Sequence, residues 1–145
     1  MKSGILIVTF ALFSTCFSLQ AQNDTINNYD NQNRKHGTWV KKYRDGQVRY
    51  KARFDHGKPV GTTKRYHQNG NLKAVMTYKT PERVYTKLYN PNGKKLAEGY
   101  YQNKEKDSVW TFYDKEGRVV AKDGYDNGTR DGVSVRFFRN GDTSH

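Results

Sequence analysis

The chain has 145 residues, of which 34% are hydrophobic, 14% aromatic and 28% charged, and its formal net charge is +12. So few apolar residues exclude a thick two-layer core, while the many aromatic and β-branched residues argue against a disordered chain. The single cysteine, Cys16, lies in the apolar N-terminal segment, so the remaining chain offers no thiol for a disulfide, a zinc site or a nucleophile. We therefore expect one small, thin domain.

The N-terminal segment has the pattern of a signal peptide. Lys2 supplies a positive start, and the apolar run from Ile5 to Phe17 is shorter than the roughly 20 residues that span a bilayer. Ala21 provides a small residue before a cleavage point. The prediction is a signal peptide over residues 1–21, a short flexible leader over 22–28 and one domain over 29–145. The mature protein is then exported, and the choice between periplasm, cell surface and secretion stays open.

Two other interpretations of this segment compete with cleavage after Ala21. A lipoprotein signal would acylate Cys16, but the bulky and hydroxylated residues 13–15 stand where small residues are expected. An uncleaved anchor would need a longer apolar stretch, and polar residues follow Leu19 at once. Cleavage is the preferred interpretation.

Glycines that follow Asp, Asn or Glu recur along the chain with separations of 24, 23, 24 and 24 residues. A fixed period of this length indicates a repeat protein of about five units. Asn-Gly and Asp-Gly pairs tolerate positive φ in tight hairpin turns, so each repeat glycine is predicted to occupy a turn. The repeat glycines are Gly46, Gly70, Gly93, Gly117 and Gly141.

Two columns of aromatic residues follow the same period. Trp39 and Trp110 also share a position, seven residues before their repeat glycines. We expect the columns to stack along one sheet face and to substitute for a core. The first column, just before the repeat glycines, is Tyr43, Tyr66, Tyr89, Tyr113 and Phe137, and the second, eight residues after them, is Phe54, Tyr78, Tyr101 and Tyr125.

Side chains alternate between the turns, as in Leu72, Ala74, Met76 and Tyr78, which is typical of strands. A second turn is expected eleven residues after a repeat glycine, for example at Gly57. The predicted fold is all-β: an elongated, single-layer antiparallel meander of tandem β-hairpin repeats. The predicted strands are 37–43, 47–54, 61–66, 71–79, 83–89, 95–101, 108–113, 118–125 and 132–138.

The segment Tyr125-Asp-Asn-Gly-Thr-Arg-Asp-Gly132, followed by Phe137-Phe-Arg-Asn-Gly141, resembles the variant type of MORN repeat. Residues 54–61 with 66–70 are similar to it as well. The resemblance covers roughly residues 29–141, although the third and fourth units, which begin at Tyr78 and Tyr101, lack two of its glycines. It implies a structural, protein-binding or lipid-associated module. The antitoxin label carried by some bacterial members fits poorly with an exported protein.

No catalytic, cofactor-binding or metal-binding site is predicted. The chain lacks nucleophile-elbow, zinc-protease, phosphate-loop and dinucleotide fingerprints. His36 and His56 precede turn glycines, His67 lies in a turn and His145 is the last residue, so no two have the short spacing of a zinc site. We predict that the protein is not an enzyme.

Positive charge is the strongest signal for a ligand. An anionic lipid or glycan of the envelope, or a protein partner, suits an exported chain better than nucleic acid does. The same charges could instead keep a thin sheet soluble and block edge pairing. The candidate basic surface is Lys41, Lys42, Arg49, Lys51, Arg53, Lys64 and Arg65.

The last predicted strand is expected to be an open edge, because no return strand is evident after Gly141. Such an edge could serve self-association or the addition of a partner strand. The predicted function is an exported, non-catalytic binding or scaffold module. Two alternatives stay open: a structural element of an envelope assembly, and an accessory module of a glycan-acting enzyme, which would need facing carboxylates about 5 to 9.5 Å apart.

Overall fold

The computed structural model describes residues 25–138 and 141–144, and the predicted signal peptide lies outside these residues. The described chain forms one open sheet of eleven strands in sequence order, each antiparallel to the next. It contains no helix long and apolar enough to cross a membrane. The predicted all-β meander is confirmed. The strands are β1 (Asn28–Tyr29), β2 (Lys35–Lys42), β3 (Val48–Asp55), β4 (Lys58–Tyr66), β5 (Leu72–Tyr78), β6 (Arg83–Tyr89), β7 (Lys95–Gln102), β8 (Glu105–Tyr113), β9 (Val119–Asp126), β10 (Thr129–Phe137) and β11 (Thr143–Ser144).

The repeat glycines close one set of hairpins. At the first, the Tyr43 amide donates to Gln47 O over 2.8 Å and the Gly46 amide donates to Tyr43 O over 3.1 Å. Gly46 has φ +88°, in the left-handed region that residues with a Cβ rarely adopt. The other four repeat glycines have φ between +79° and +90° and donate to the same kind of carbonyl.

The second set of turns is tighter. His56 and Gly57 both have positive φ, +46° and +84°, which defines a two-residue type I′ turn between β3 and β4. Asn103 and Lys104 form the equivalent turn without a glycine, at +51° and +73°. The fourth unit therefore keeps its hairpin geometry although the motif residue is absent.

Three strands begin three residues earlier than predicted: β4, β8 and β10. Gly61, Ser108 and Gly132 have positive φ but do not end a turn. They lie inside these strands, where the pairing register shifts. Such bulges bend a strand without ending it, so the chain continues the sheet through them.

Both ends of the sheet differ from the sequence prediction. Asn28 belongs to β1, and the Asn27 side chain accepts a hydrogen bond of 2.8 Å from the Val40 amide, so the ordered sheet begins inside the predicted leader. At the other end the expected absence of a return strand is wrong. β11 pairs with β10 through Phe137↔Thr143 and Arg136↔Ser144, because two residues after the turn suffice to form the ladder. The outer edge of β10 from Thr129 to Val135 has no strand partner within the described residues.

The core is built from small residues and not from stacked rings. Trp110 is fully buried and Val84 nearly so. No two members of either aromatic column form a ring pair among the residues described, because successive members lie two strands apart, about 9 to 10 Å. The expected ring-on-ring ladder is therefore wrong. The other buried apolar residues are Ala52, Ala74, Ala97 and Ala121.

Candidate functional site

The pairing register assigns each strand residue to one of two faces, because directly opposite residues in antiparallel strands point to the same side. One face, called the groove face below, carries Trp39, Ala52, Ala74, Thr86 and Trp110. The other, called the opposite face, carries a continuous row of directly paired residues. The row is Lys51, Lys64, Val75, Lys87, Glu98, Thr111 and Lys122.

A groove of about 760 Å³ lies on the groove face, over the second and third units. The fully buried residues of its lining are apolar apart from Thr86, and most of its exposed lining residues are charged. Such a combination of an apolar floor with a few polar groups is typical of binding sites. The buried and half-buried lining includes Ala74, Met76, Tyr78, Val84, Thr86, Leu88 and Tyr101, and the exposed lining includes Arg65, Lys73, Pro81, Glu82 and Lys104.

In the first and fourth units, a tryptophan and a lysine of the chain occupy the place that is open at the groove. Lys35 Nζ lies 4.5 Å from the centre of the Trp39 ring, and Lys106 Nζ lies 4.9 Å from the centre of the Trp110 ring. The Trp110 indole N–H donates to Tyr100 O over 2.8 Å. Each tryptophan thus packs on the sheet beneath a lysine, in a cation–π arrangement.

The second and third units lack this Lys–Trp pair. Threonine occupies the tryptophan position, at Thr63 and Thr86, while Pro59 and Glu82 occupy the lysine position. Thr86 is 1% exposed, and its Oγ1 has no hydrogen-bond partner in the described part of the chain. The two tryptophans alone, without the residues at the equivalent positions of the other units, do not reveal this space. The sequence signal for this space is the residue seven positions before each repeat glycine, which is threonine and not tryptophan in the second and third units.

The predicted basic surface is divided between the two faces. Lys51, Arg53 and Lys64 lie on the opposite face, and Lys51 is directly paired with Lys64 across β3 and β4. Lys41 and Arg65 lie on the groove face. The remaining two predicted members are in strands next to the first repeat turn, with the Arg49 guanidinium 5.9 Å from the Tyr43 ring and Lys42 at the end of β2.

Charge is distributed unevenly along the sheet. Residues 35–80 contain twelve Lys and Arg against two Asp, a net charge of +10, whereas residues 81–145 contain twelve against ten acidic residues, a net charge of +2. Every ion pair of a Lys or Arg with a carboxylate in the described chain lies outside residues 35–80. The cations of the first half of the sheet are therefore uncompensated.

The opposite face of the third and fourth units carries a compact polar cluster around Glu98. Lys95 Nζ donates to Glu98 Oε1 over 2.9 Å, and the Tyr113 hydroxyl donates to the same oxygen. Burial, together with the adjacent Glu98 carboxylate, raises the pKa of Tyr85 to about 12. Burial opposes ionisation of Glu98, but hydrogen bonds from Tyr113 and Lys95 outweigh it and lower the pKa of this carboxyl. Lys95, Tyr113 and Tyr85 all form hydrogen bonds with the Glu98 carboxylate, so the cluster joins β6, β7 and β8.

Two histidines that are far apart in the sequence, His36 and His56, lie together in the structure. The His36 and His56 ring centres are 5.3 Å apart, and Asp55 Oδ1 lies 3.5 Å from His36 Nδ1 and 2.7 Å from His56 Nδ1. The three potential ligand atoms lie within 4.8 Å of one another, and all three residues are exposed. Pairing of β2 with β3 brings them together, which their spacing of about twenty residues along the chain conceals. The absence of a metal site stays a prediction.

A family model described as the MORN repeat variant matches the chain three times, at residues 35–56, 59–80 and 85–103. The matched segments correspond to consecutive hairpins of the sheet, and the third lies in a unit that lacks two of the motif glycines. The fifth unit, which supplied the motif noted in the sequence, lies beyond the matched residues. No curated protein and no solved structure gives a significant match.

Repeats of this family are generally non-catalytic binding modules, which agrees with a chain whose prominent features are a groove and an uncompensated basic surface. The repeated hairpins, their period and the three matches lead to the same assignment: residues 35–103 of the chain carry repeats of the MORN family, of the variant type.

Proposed function

We propose that the protein is an exported, non-catalytic binding module whose first repeats, residues 35–80, hold an anionic partner. The family assignment supports a binding role. The signal-peptide pattern of residues 1–21 supports export. Outside the cytoplasm, anionic lipid headgroups and acidic glycans are the abundant anionic surfaces, so an anionic envelope component is the preferred partner, with an acidic protein as the second candidate.

The observation that supports this proposal most strongly is the direct pairing of Lys51 with Lys64, with Arg53 on the same face; among the described residues no carboxylate forms an ion pair with any of the three. Like charges directly opposite each other destabilise a sheet. A chain selected for stability alone would place an acidic residue at one of these positions, as it does at Glu98 beside Lys95. A bound anion would neutralise the repulsion.

Charge reversal on this surface tests the proposal. The triple variant Lys51→Glu, Arg53→Glu and Lys64→Glu is expected to bind vesicles containing phosphatidylglycerol about a hundredfold more weakly, because each Lys or Arg near an anionic membrane contributes roughly 1 kcal/mol. Binding is measured by vesicle co-sedimentation at low and moderate salt, with phosphatidylcholine vesicles as the neutral comparison.

The matched control carries the same change in net charge in the second half of the sheet: Lys94→Glu, Lys115→Glu and Lys122→Glu. The affinity of this variant for anionic vesicles is expected to fall only about twofold to fivefold, because the altered charges act at a distance and are screened by salt. Equal losses in the two variants would mean that net charge, and not the proposed surface, causes binding. No binding by the unaltered protein to either anionic vesicles or acidic polysaccharide would refute an anionic envelope partner.

Export is tested by expressing the full chain with its own N-terminus and measuring the mass of the product in the envelope and extracellular fractions. Removal of residues 1–21, with Gln22 as the new first residue, is the expected result. An acylated product that begins at Cys16 would establish the lipoprotein alternative. A full-length cytoplasmic product would overturn the proposal of export.

A further inference from the structure

We propose that the groove on the groove face receives an aromatic side chain, above all an indole, from an acidic segment of a partner protein. The proposal concerns the place where the second and third units lack the Lys–Trp pair. In the first and fourth units that place holds Trp39 and Trp110, each on the same face and each beneath a lysine. The chain therefore shows twice that an indole packs on this face of a repeat, beneath a lysine.

The floor of the groove is suited to an incoming ring. Trp110 packs against Gly99, six residues after its repeat glycine, and the equivalent residue of the preceding unit is Met76. Met76 lies directly opposite Thr86 and lines the groove. A methionine side chain has three flexible torsions and a polarisable sulfur that contacts aromatic rings favourably. Because Met76 has a Cβ where Gly99 has none, an incoming ring would lie against the flexible end of the Met76 side chain and farther from the strand than Trp110 lies.

The buried hydroxyl of Thr86 distinguishes an indole from an acyl chain as the occupant. Thr86 lines the groove, and its Oγ1 is fully buried and has no hydrogen-bond partner among the described residues. A buried polar group without a partner is costly. When the flexible Met76 side chain, which lies directly opposite Thr86, moves aside, an indole N–H can reach Thr86 Oγ1 and donate to it, as the Trp39 and Trp110 indoles donate to Asn28 O and Tyr100 O. An acyl chain would leave the hydroxyl unpaired.

Charge at the rim indicates the surroundings of the ring. Arg65, Lys73 and Lys104 line the groove, against the single carboxylate of Glu82. None of the three cations forms an ion pair within the part of the chain that the structure describes. Acidic residues beside the aromatic residue would complement them. In this respect the inference rests on the proposed function, since both assign an anionic partner.

Met76 provides a direct probe of the groove. The chain has two methionines, Met1 and Met76, so methyl-labelled methionine in the full chain gives two resonances, which Met76→Leu assigns. The ligand is a synthetic peptide with one tryptophan flanked by glutamate and aspartate. We expect a ring-current shift of the Met76 methyl that saturates with peptide concentration. Replacing the peptide tryptophan with leucine should weaken binding about tenfold, and replacing its acidic residues with lysine should abolish binding.

Two threonine-to-tryptophan substitutions, one on each face of the sheet, distinguish the groove face from the opposite face. Thr86→Trp fills the groove from within and is expected to abolish the peptide-induced shift of the Met76 methyl. Thr62→Trp adds the same ring at an exposed position on the opposite face and should leave binding within about twofold. Because Thr86→Trp could unfold the chain, Lys73→Glu with Lys104→Glu serves as a second variant. Its affinity for the peptide is expected to fall about tenfold.

A Met76 methyl that does not respond to the tryptophan peptide would overturn this inference, even if the peptide still binds elsewhere on the chain. A saturable response to dodecanoate, with none to the peptide, would overturn it as well and assign the groove to an acyl chain. Failure of the proposed function is a separate result: the variant Lys51→Glu, Arg53→Glu and Lys64→Glu would then bind anionic vesicles as well as the unaltered chain does, whatever the Met76 resonance shows.

Discussion

Replacing Gly99 with alanine is expected to destabilise the protein by about 3 kcal/mol. A Cβ at this position would lie 2.6 Å from three ring atoms of Trp110. The ring cannot retreat, because Trp110 is fully buried, its indole N–H is bonded to Tyr100 O, and the Tyr101 ring contacts it at a centroid distance of 4.9 Å. Denaturant unfolding, followed by circular dichroism, measures the loss as a lower midpoint.

A double-mutant cycle identifies the cause of this loss. Trp110→Ala alone is expected to cost about 4 kcal/mol, since it removes the largest fully buried side chain. In that background Gly99→Ala should cost almost nothing, because the ring that it would strike is gone, and the coupling energy should equal most of the single-mutant effect. If Gly99→Ala costs the same in both backgrounds, the loss comes from the strand backbone and not from the ring.

The Asp123 carboxylate is expected to contribute about 2 kcal/mol to the free energy of unfolding near neutral pH and nothing in strong acid. Its side chain is buried on β9, where it accepts hydrogen bonds of 2.6 Å from Arg136, 3.1 Å from Arg130 and 3.1 Å from Ser134. The hydrogen bond from Arg136 is the main reason that the pKa of Asp123 is lowered below its usual 3.8. Because the folded-state pKa is the lower one, this stability is present above pH 3.8 and is lost as the pH falls through the folded-state pKa.

Asp123→Asn should therefore be less stable than the unaltered protein above pH 3.8, and the difference should close as the pH falls below that value. Thermal midpoints over a series of acidic buffers measure the difference. Asp126→Asn on the same strand makes the same change in charge at an exposed position and should shift stability by less than about 0.5 kcal/mol at every pH. A constant difference for Asp123→Asn across the series would contradict the electrostatic explanation.

The sequence by itself determined the repeat, the class of fold and the position of most turns. These depend on local rules: a glycine after Asn or Asp at Gly46 or Gly70 permits positive φ, and alternation such as that of residues 72–78 defines a strand. Because each hairpin pairs only with its sequence neighbours, the order of strands follows the order of the chain. Local information is then sufficient for the topology.

The boundaries of the strands were less predictable. Gly61 and Gly132 have positive φ, as the turn glycines do, yet they are bulge residues within β4 and β10. Ser108 takes the same conformation without being a glycine. A positive φ is compatible with a turn and with a bulge, and the pairing of the neighbouring strand decides between them.

Only the tertiary structure decided what the two faces of the sheet carry. Each bulge changes the alternation of side chains, so counting residues along the chain does not show that Arg65 joins the groove while Lys64 joins Lys51 on the opposite face. The groove itself exists because two neighbouring units both have threonine at the tryptophan position, and its volume depends on side chains from four strands. The residues of one repeat unit are sufficient to form its hairpin. A binding surface, by contrast, is formed by side chains from several neighbouring units.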